Sequence, residues 1–122
     1  MKKDNQNESV MLPIGTIAKA LNVSQTTIRD YDSEYILPAK RTETNRRYYT
    51  LEDIERGNCI RFLLRNLLLN IDSVKVIFAI MENEKIKPEN RLDYLKKIAL
   101  KAGITEEIQQ KNQEKYDNKG RK

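Results

Sequence analysis

The sequence predicts a mostly α-helical fold: a winged helix-turn-helix with a small β-hairpin wing, followed by additional helices. Three observations lead there. Two short amphipathic helical patterns meet across Asn22-Val23-Ser24, a strand–turn–strand pattern rich in Lys and Arg follows over 39–49, and the remainder carries Leu and Ile at helical periods. With 122 residues, 39% hydrophobic content, 7% aromatics and no Trp, the chain can furnish one modest, mostly aliphatic core.

Residues 1–9 are polar and read as a disordered leader. Ile14, Ile17, Ala18 and Leu21 then fall at i, i+3, i+4, i+7 and predict a first helix over about 15–21. Asn22 tolerates the left-handed conformation that ends helices. Ser24 is placed to cap a second helix, with Val23 and Ile28 at the spacing of a hydrophobic staple. That register turns Val23, Ile28 and Tyr31 inward and leaves Gln25, Thr26, Arg29 and Asp30 outside. A turn this brief forces a steep crossing, and the small Ala18 permits it; the alternative for these residues alone is an αα-hairpin in a helical bundle. The next stretch decides between them. Tyr35-Ile36-Leu37-Pro38 stops the helix, and Ala39–Thr42, Glu43-Thr44-Asn45 and Arg46–Tyr49 read as strand, turn and strand. An isolated ribbon is marginal in water, so it must lean on the helices with its basic tip projecting.

Thr50 is the next N-cap, with Asp53 three residues on, and opens a helix expected over about 51–68. Asn70 caps another, with Ile71, Val74, Phe78 and Met81 as its stripe; Val76 and Ile80 hint at a second buried contact. Pro88 can open a further helix carrying Leu92, Leu95, Ile98, Ala99 and Ala102, ended by Gly103. Ile104 and Ile108 begin a weak last helix. The segments expected are a first domain over 10–84, C-terminal helices over 85–116, and a disordered basic tail over 117–122.

A net charge of +5 and a pI of about 9.3 favour a polyanionic partner. Lys40, Arg41, Arg46 and Arg47 cluster against Glu43 alone, whereas acids outnumber bases over 51–84 and lysines dominate again after Lys85. Each Arg taken singly is an ordinary solvated charge; clustered on a hairpin beside a helix-turn-helix, they favour phosphate contact. Tyr49 suits both a core position and a phosphate donor. Cys59 reads as a small buried hydrophobe, and the late lysines as a solvated face. A lone Cys excludes an internal disulfide and suits a reducing cytosol. The absence of His removes His-based metal sites and His general bases, and no catalytic constellation is present, so neither an enzyme nor a cofactor is expected. No stretch has the length of a secretory signal or a membrane span, and the expected place is the bacterial cytoplasm, on the nucleoid.

Over about three fifths of the chain, the sequence resembles the MerR family of bacterial transcription regulators. The likeness is carried by I-G-T-I-A-K-A-L-N-V-S-Q-T-T-I-R-D-Y-D (Ile14 to Asp32), I-L-P-A-K-R-T-E-T-N-R-R-Y-Y-T-L-E-D-I (Ile36 to Ile54) and L-L-L-N-I-D-S-V-K-V-I (Leu67 to Ile77). The resemblance implies a winged helix-turn-helix, a second helix pair and a long dimerising helix. It puts Arg29 on a phosphate or base edge, with Thr26, Thr27 and Tyr31 lining the DNA face. Arg41, Thr42 and Asn45 then sit in or near the wing, and Arg47 and Tyr49 hold phosphate. Ser24, Gln25 and Arg46 complete the candidate DNA contacts. The chain departs from the pattern at Asp30, where an aromatic is common, and at Leu68, where Gly often lies and a more helical turn is expected. Pro88 and Gly103 break the region of the long dimerising helix, and no sizeable effector domain or C-terminal Cys pair is present.

Three functions fit. The first is a sequence-specific regulator, a homodimer on duplex DNA with residues 24–32 in the major groove and the wing 39–49 on the backbone. The second is an architectural or recombination protein, excisionase-like or chromosome-anchoring. The third is a regulator controlled by a protein docked on the C-terminal helices, as in small family members that sense nitrogen through a partner enzyme.

Overall fold

The computed structural model describes residues 10–120, the side chains of the last two excepted. The expected leader and the last two residues of the expected tail lie outside it. The chain divides into two units, one ending at Gly57 and one beginning at Asn58.

In the N-terminal unit, α1 (Ile14–Leu21) and α2 (Gln25–Ser33) form the helix-turn-helix. Ile17, Leu21 and Ile28 are fully buried, as the apolar spacing predicts. Asn22 ends α1 at φ 57°, and the Val23 N–H closes back on the Ala18 carbonyl at 3.0 Å. Ser24 caps α2: its Oγ accepts from the Thr27 N–H at 3.0 Å. Gly57, in α3 (Leu51–Arg61), has no room for a Cβ against the Leu21 side chain, so this close approach requires glycine.

The ribbon consists of β1 (Lys40–Arg41) and β2 (Arg47–Tyr48), antiparallel with Arg41 opposite Arg47. Its loop combines a β-turn, closed by Asn45 N–H to the Thr42 carbonyl at 2.9 Å, with Asn45 at φ 66°. This is the three-residue hairpin loop in which a turn is followed by a left-handed residue. The ribbon leans on the unit through backbone: Leu12 and Tyr49 exchange two N–H···O bonds of 2.8 Å.

In the C-terminal unit the expected helix to Leu68 is interrupted. After Arg61 the chain widens into a π-helical segment (Phe62–Asn66), where three successive side chains, Phe62, Leu63 and Leu64, are buried. Leu68 then stands at φ 55°, and Leu69 N–H reaches back to the Leu63 carbonyl at 3.0 Å. The turn is therefore not more helical than one with Gly; Leu adopts the conformation Gly would take. α4 (Ile71–Asn83) is capped by Asn70, whose Oδ1 accepts from Ser73 N–H at 2.8 Å, and buries Val74, Phe78 and Met81. Val76 and Ile80 are exposed, so the second buried contact anticipated for α4 is absent among the described residues. α5 (Pro88–Lys101) begins at Pro88, and Gly103 follows it at φ 86°. α6 (Glu106–Gly120) runs through the start of the expected disordered tail, correcting that boundary. Its anchors are amides: Asn66 Nδ2 donates to the Gln109 carbonyl and to Gln113 Oε1, both at 3.3 Å, and Asn112 Nδ2 donates to the Asn66 carbonyl at 2.9 Å. The Arg65 guanidinium also lies 5.6 Å from the centre of the Tyr116 ring.

Candidate nucleic-acid interface

The cap at Ser24 fixes the rotation of α2. With Ile28 and Tyr31 buried, Gln25, Thr26, Arg29 and Asp30 stand exposed on the opposite side. Arg29 makes no side-chain hydrogen bond or ion pair among the described residues and is available to a ligand. Gln25 Nε2 lies 3.3 Å from where a Cβ on Gly15 would stand, which brings the starts of α1 and α2 together. Ser24 and Thr27 are engaged with each other: their hydroxyls are 3.0 Å apart, in addition to the cap. They shape the helix start, and each hydroxyl keeps at least one further hydrogen-bonding site.

Both tyrosines proposed as DNA contacts belong to the core. Tyr31 is 5% exposed and Tyr49 0%. Strand alternation turns Tyr49 inward, where burial, and secondarily the Asp32 carboxylate, pushes its phenol above the usual range. The folded state therefore holds that proton more tightly than the unfolded chain. This contribution is complete below the unfolded pKa and is lost as pH rises through the folded one. The Tyr49 Oη has no hydrogen-bond partner among the described residues and no route to a phosphate.

The basic cluster divides into two kinds of residue. Lys40 Nζ sits 3.2 and 3.0 Å from the two oxygens of Asp53, and Arg47 Nε 3.1 Å from Asp32 Oδ2. Those two charges are already compensated. Arg41 and Arg46 have no carboxylate partner among the described residues. Arg41 Nη1 spends one N–H on the Asn45 carbonyl at 3.2 Å, which braces the loop. Thr42 is also internal: its Oγ1 accepts from the Arg46 N–H at 3.1 Å and stands 3.1 Å from Thr44 Oγ1. Asn45 is exposed, and its left-handed backbone makes the loop.

Sequence reasoning missed the two carboxylates that hold this surface. Asp53 was legible as half of a capping box, and it does accept from Thr50 N–H at 2.9 Å while its own N–H reaches Thr50 Oγ1 at 3.3 Å. Its second partner, Lys40, was not legible, being thirteen residues away. Asp32 accepts from Ala39 N–H at 3.0 Å as well as from Arg47. Arg56 Nε adds a 2.6 Å bond to the Ile36 carbonyl, bracing the segment that leads into β1. No cluster of potential metal ligands, and no helix long and apolar enough to cross a membrane, occurs among the described residues.

A family profile described as "MerR HTH family regulatory protein" matches residues 12–79, more than half of the chain. The chain is also 26% identical over 109 residues to proteins named "HTH-type transcriptional regulator GlnR" from Bacillus anthracis and from Bacillus cereus. These alignments cover 88% of this chain and 84% of each relative. No solved structure matches.

Proposed function

The chain belongs to the MerR helix-turn-helix family of regulatory proteins, and from that premise we propose that it is a sequence-specific transcription regulator that inserts α2 into the major groove and lays the ribbon on the flanking backbone. A single observation carries this reading: α2 is capped and buried along one side, leaving Gln25, Thr26 and Arg29 exposed together on the other. A short helix that presents amide, hydroxyl and guanidinium groups has the donors and acceptors that base edges in the major groove require. Arg29 takes a guanine edge or a phosphate, Gln25 and Thr26 read neighbouring bases, and Arg41 and Arg46 neutralise backbone charge. Recognition of this kind is doubled on a palindrome by a homodimer, with half-sites about one helical turn apart. The relatives' regulatory names favour this over an architectural or recombination role.

The test uses a duplex selected by the protein itself from a random-sequence pool. Arg29→Ala should weaken binding to that duplex at least tenfold, which is about 1.4 kcal/mol or more and in keeping with a lost specific contact, with the circular dichroism spectrum unchanged. Unaltered affinity would remove α2 as the reading element.

A further inference from the structure

Asp32 stands half-buried in the last turn of α2, and its two oxygens go to opposite strands of the wing. Oδ1 accepts from the N–H of Ala39, the residue before β1, at 3.0 Å. Oδ2 accepts from the Nε of Arg47, the first residue of β2, at 3.1 Å. A ribbon with two paired residues in each strand has little internal ladder to set its direction. Contacts to both strands from one carboxylate on the neighbouring helix remove its freedom to swing. Lys40 on Asp53 adds a third carboxylate tie, from the first turn of α3, beside the Leu12–Tyr49 backbone pair at the ribbon's base.

We propose that Asp32 is a positioning residue for DNA binding: it fixes the angle between the recognition helix and the wing. Arg47 serves as its strut and is not a phosphate ligand. This rests on the DNA-binding reading above and deepens it. The Arg47 charge is compensated in the free protein, so its contribution to counterion release is small, and phosphate neutralisation on the wing falls to Arg41 and Arg46. Nucleic acid of the right sequence is then recognised by helix and wing together, whereas an arbitrary duplex needs only the positive charge.

Asp32→Asn separates these contributions, because the amide oxygen can still accept from Ala39 while the charge that holds Arg47 is lost. Charge alone predicts tighter binding to every duplex, since one negative group is removed beside the DNA face. Positioning predicts the reverse for the cognate site. Affinity for the selected duplex should fall at least tenfold, while affinity for an unrelated duplex of equal length stays the same or rises. Amide exchange should quicken over 39–48 and stay unchanged over 14–31. Tighter binding to both duplexes would overturn the proposal, leaving Asp32 as a competitor of phosphate for Arg47; unchanged binding to both would overturn it too. If Asp32→Asn lowers the folded fraction, Arg47→Gln tests the same tie from the other end. The cognate affinity should then fall with the salt slope unchanged, and a slope reduced by about one would make Arg47 a phosphate ligand and refute the strut. Failure of the wild-type protein to bind any duplex in a salt-dependent way would remove the DNA-binding reading itself, before any variant is compared.

Discussion

Asp32 and Asp53 do for the N-terminal unit what Asn66 and Asn112 do for the C-terminal unit, by different chemistry. In the first, carboxylates take cations and backbone N–H groups and tie a ribbon to helices. In the second, neutral amides tie a polar helix, α6, to the π-helical segment. The difference bears on how charge is counted. Where cations serve as structural ties, a basic cluster overstates the surface free for phosphate; Lys40 and Arg47 are spent in this way and Arg41 and Arg46 are not. Amide ties leave the local charge untouched and are insensitive to salt.

The largest effect expected from breaking this comparison is on the carboxylate side. Asp53→Ala leaves the buried Thr50 N–H without its acceptor and frees Lys40. The cost should be about 2–3 kcal/mol, most of it from the unsatisfied cap, because Lys40 is half exposed and its ion pair is screened. The denaturation midpoint should drop with an unchanged m-value, and amide exchange should speed over 40–53. Loss below half a kcal/mol would mean that water replaces Asp53. On the amide side, Asn66→Ala removes two donated hydrogen bonds and should cost about 1–2 kcal/mol. Its effect should appear as faster exchange over 106–116 and should be the same at low and high salt. Equal acceleration in both units from either variant would make the two one cooperative block and dissolve the distinction.

The N-terminal unit was the more legible in the sequence because its signals are short-range. The apolar spacing of α1, the Ser24 cap and the loop of the hairpin are all decided within a few residues, and each appears where the spacing puts it. What escaped depends on distance or on burial. Tyr49 suited both core and phosphate until its strand's facing was known, and the Asp32–Arg47 and Lys40–Asp53 ties span fifteen and thirteen residues. In the C-terminal unit, α6 looks weak in sequence because it has few apolar anchors; its anchors are Asn and Gln. The π-helical segment was invisible because Phe62, Leu63 and Leu64 fit an ordinary buried helix as well.

Helix ends show the same limit and yield the smallest prediction. Asn22, Tyr35, Lys85 and Gly103 all take positive φ just past a helix, and only Asn22 and Gly103 are residue types that announce it. The next residue is apolar each time: Val23, Ile36, Ile86 and Ile104 each send an N–H back five residues, to the carbonyls of Ala18, Tyr31, Met81 and Ala99. An apolar residue in that position is the signal that could have located these ends. At Tyr35 the side chain contributes almost nothing to oppose the strain, being 77% exposed at φ 63°. A left-handed L-residue costs roughly 1–2 kcal/mol, and the greater freedom of an unfolded glycine returns about 0.4–1 kcal/mol of that. Tyr35→Gly should therefore stabilise the protein by about half to one kcal/mol, read as a raised denaturation midpoint. Tyr35→Ala isolates the cause, because alanine keeps the Cβ that clashes in this conformation. An equal gain from alanine would trace the effect to removal of an exposed aromatic ring, and the apolar residue after the turn would then no longer be evidence of a strained helix end.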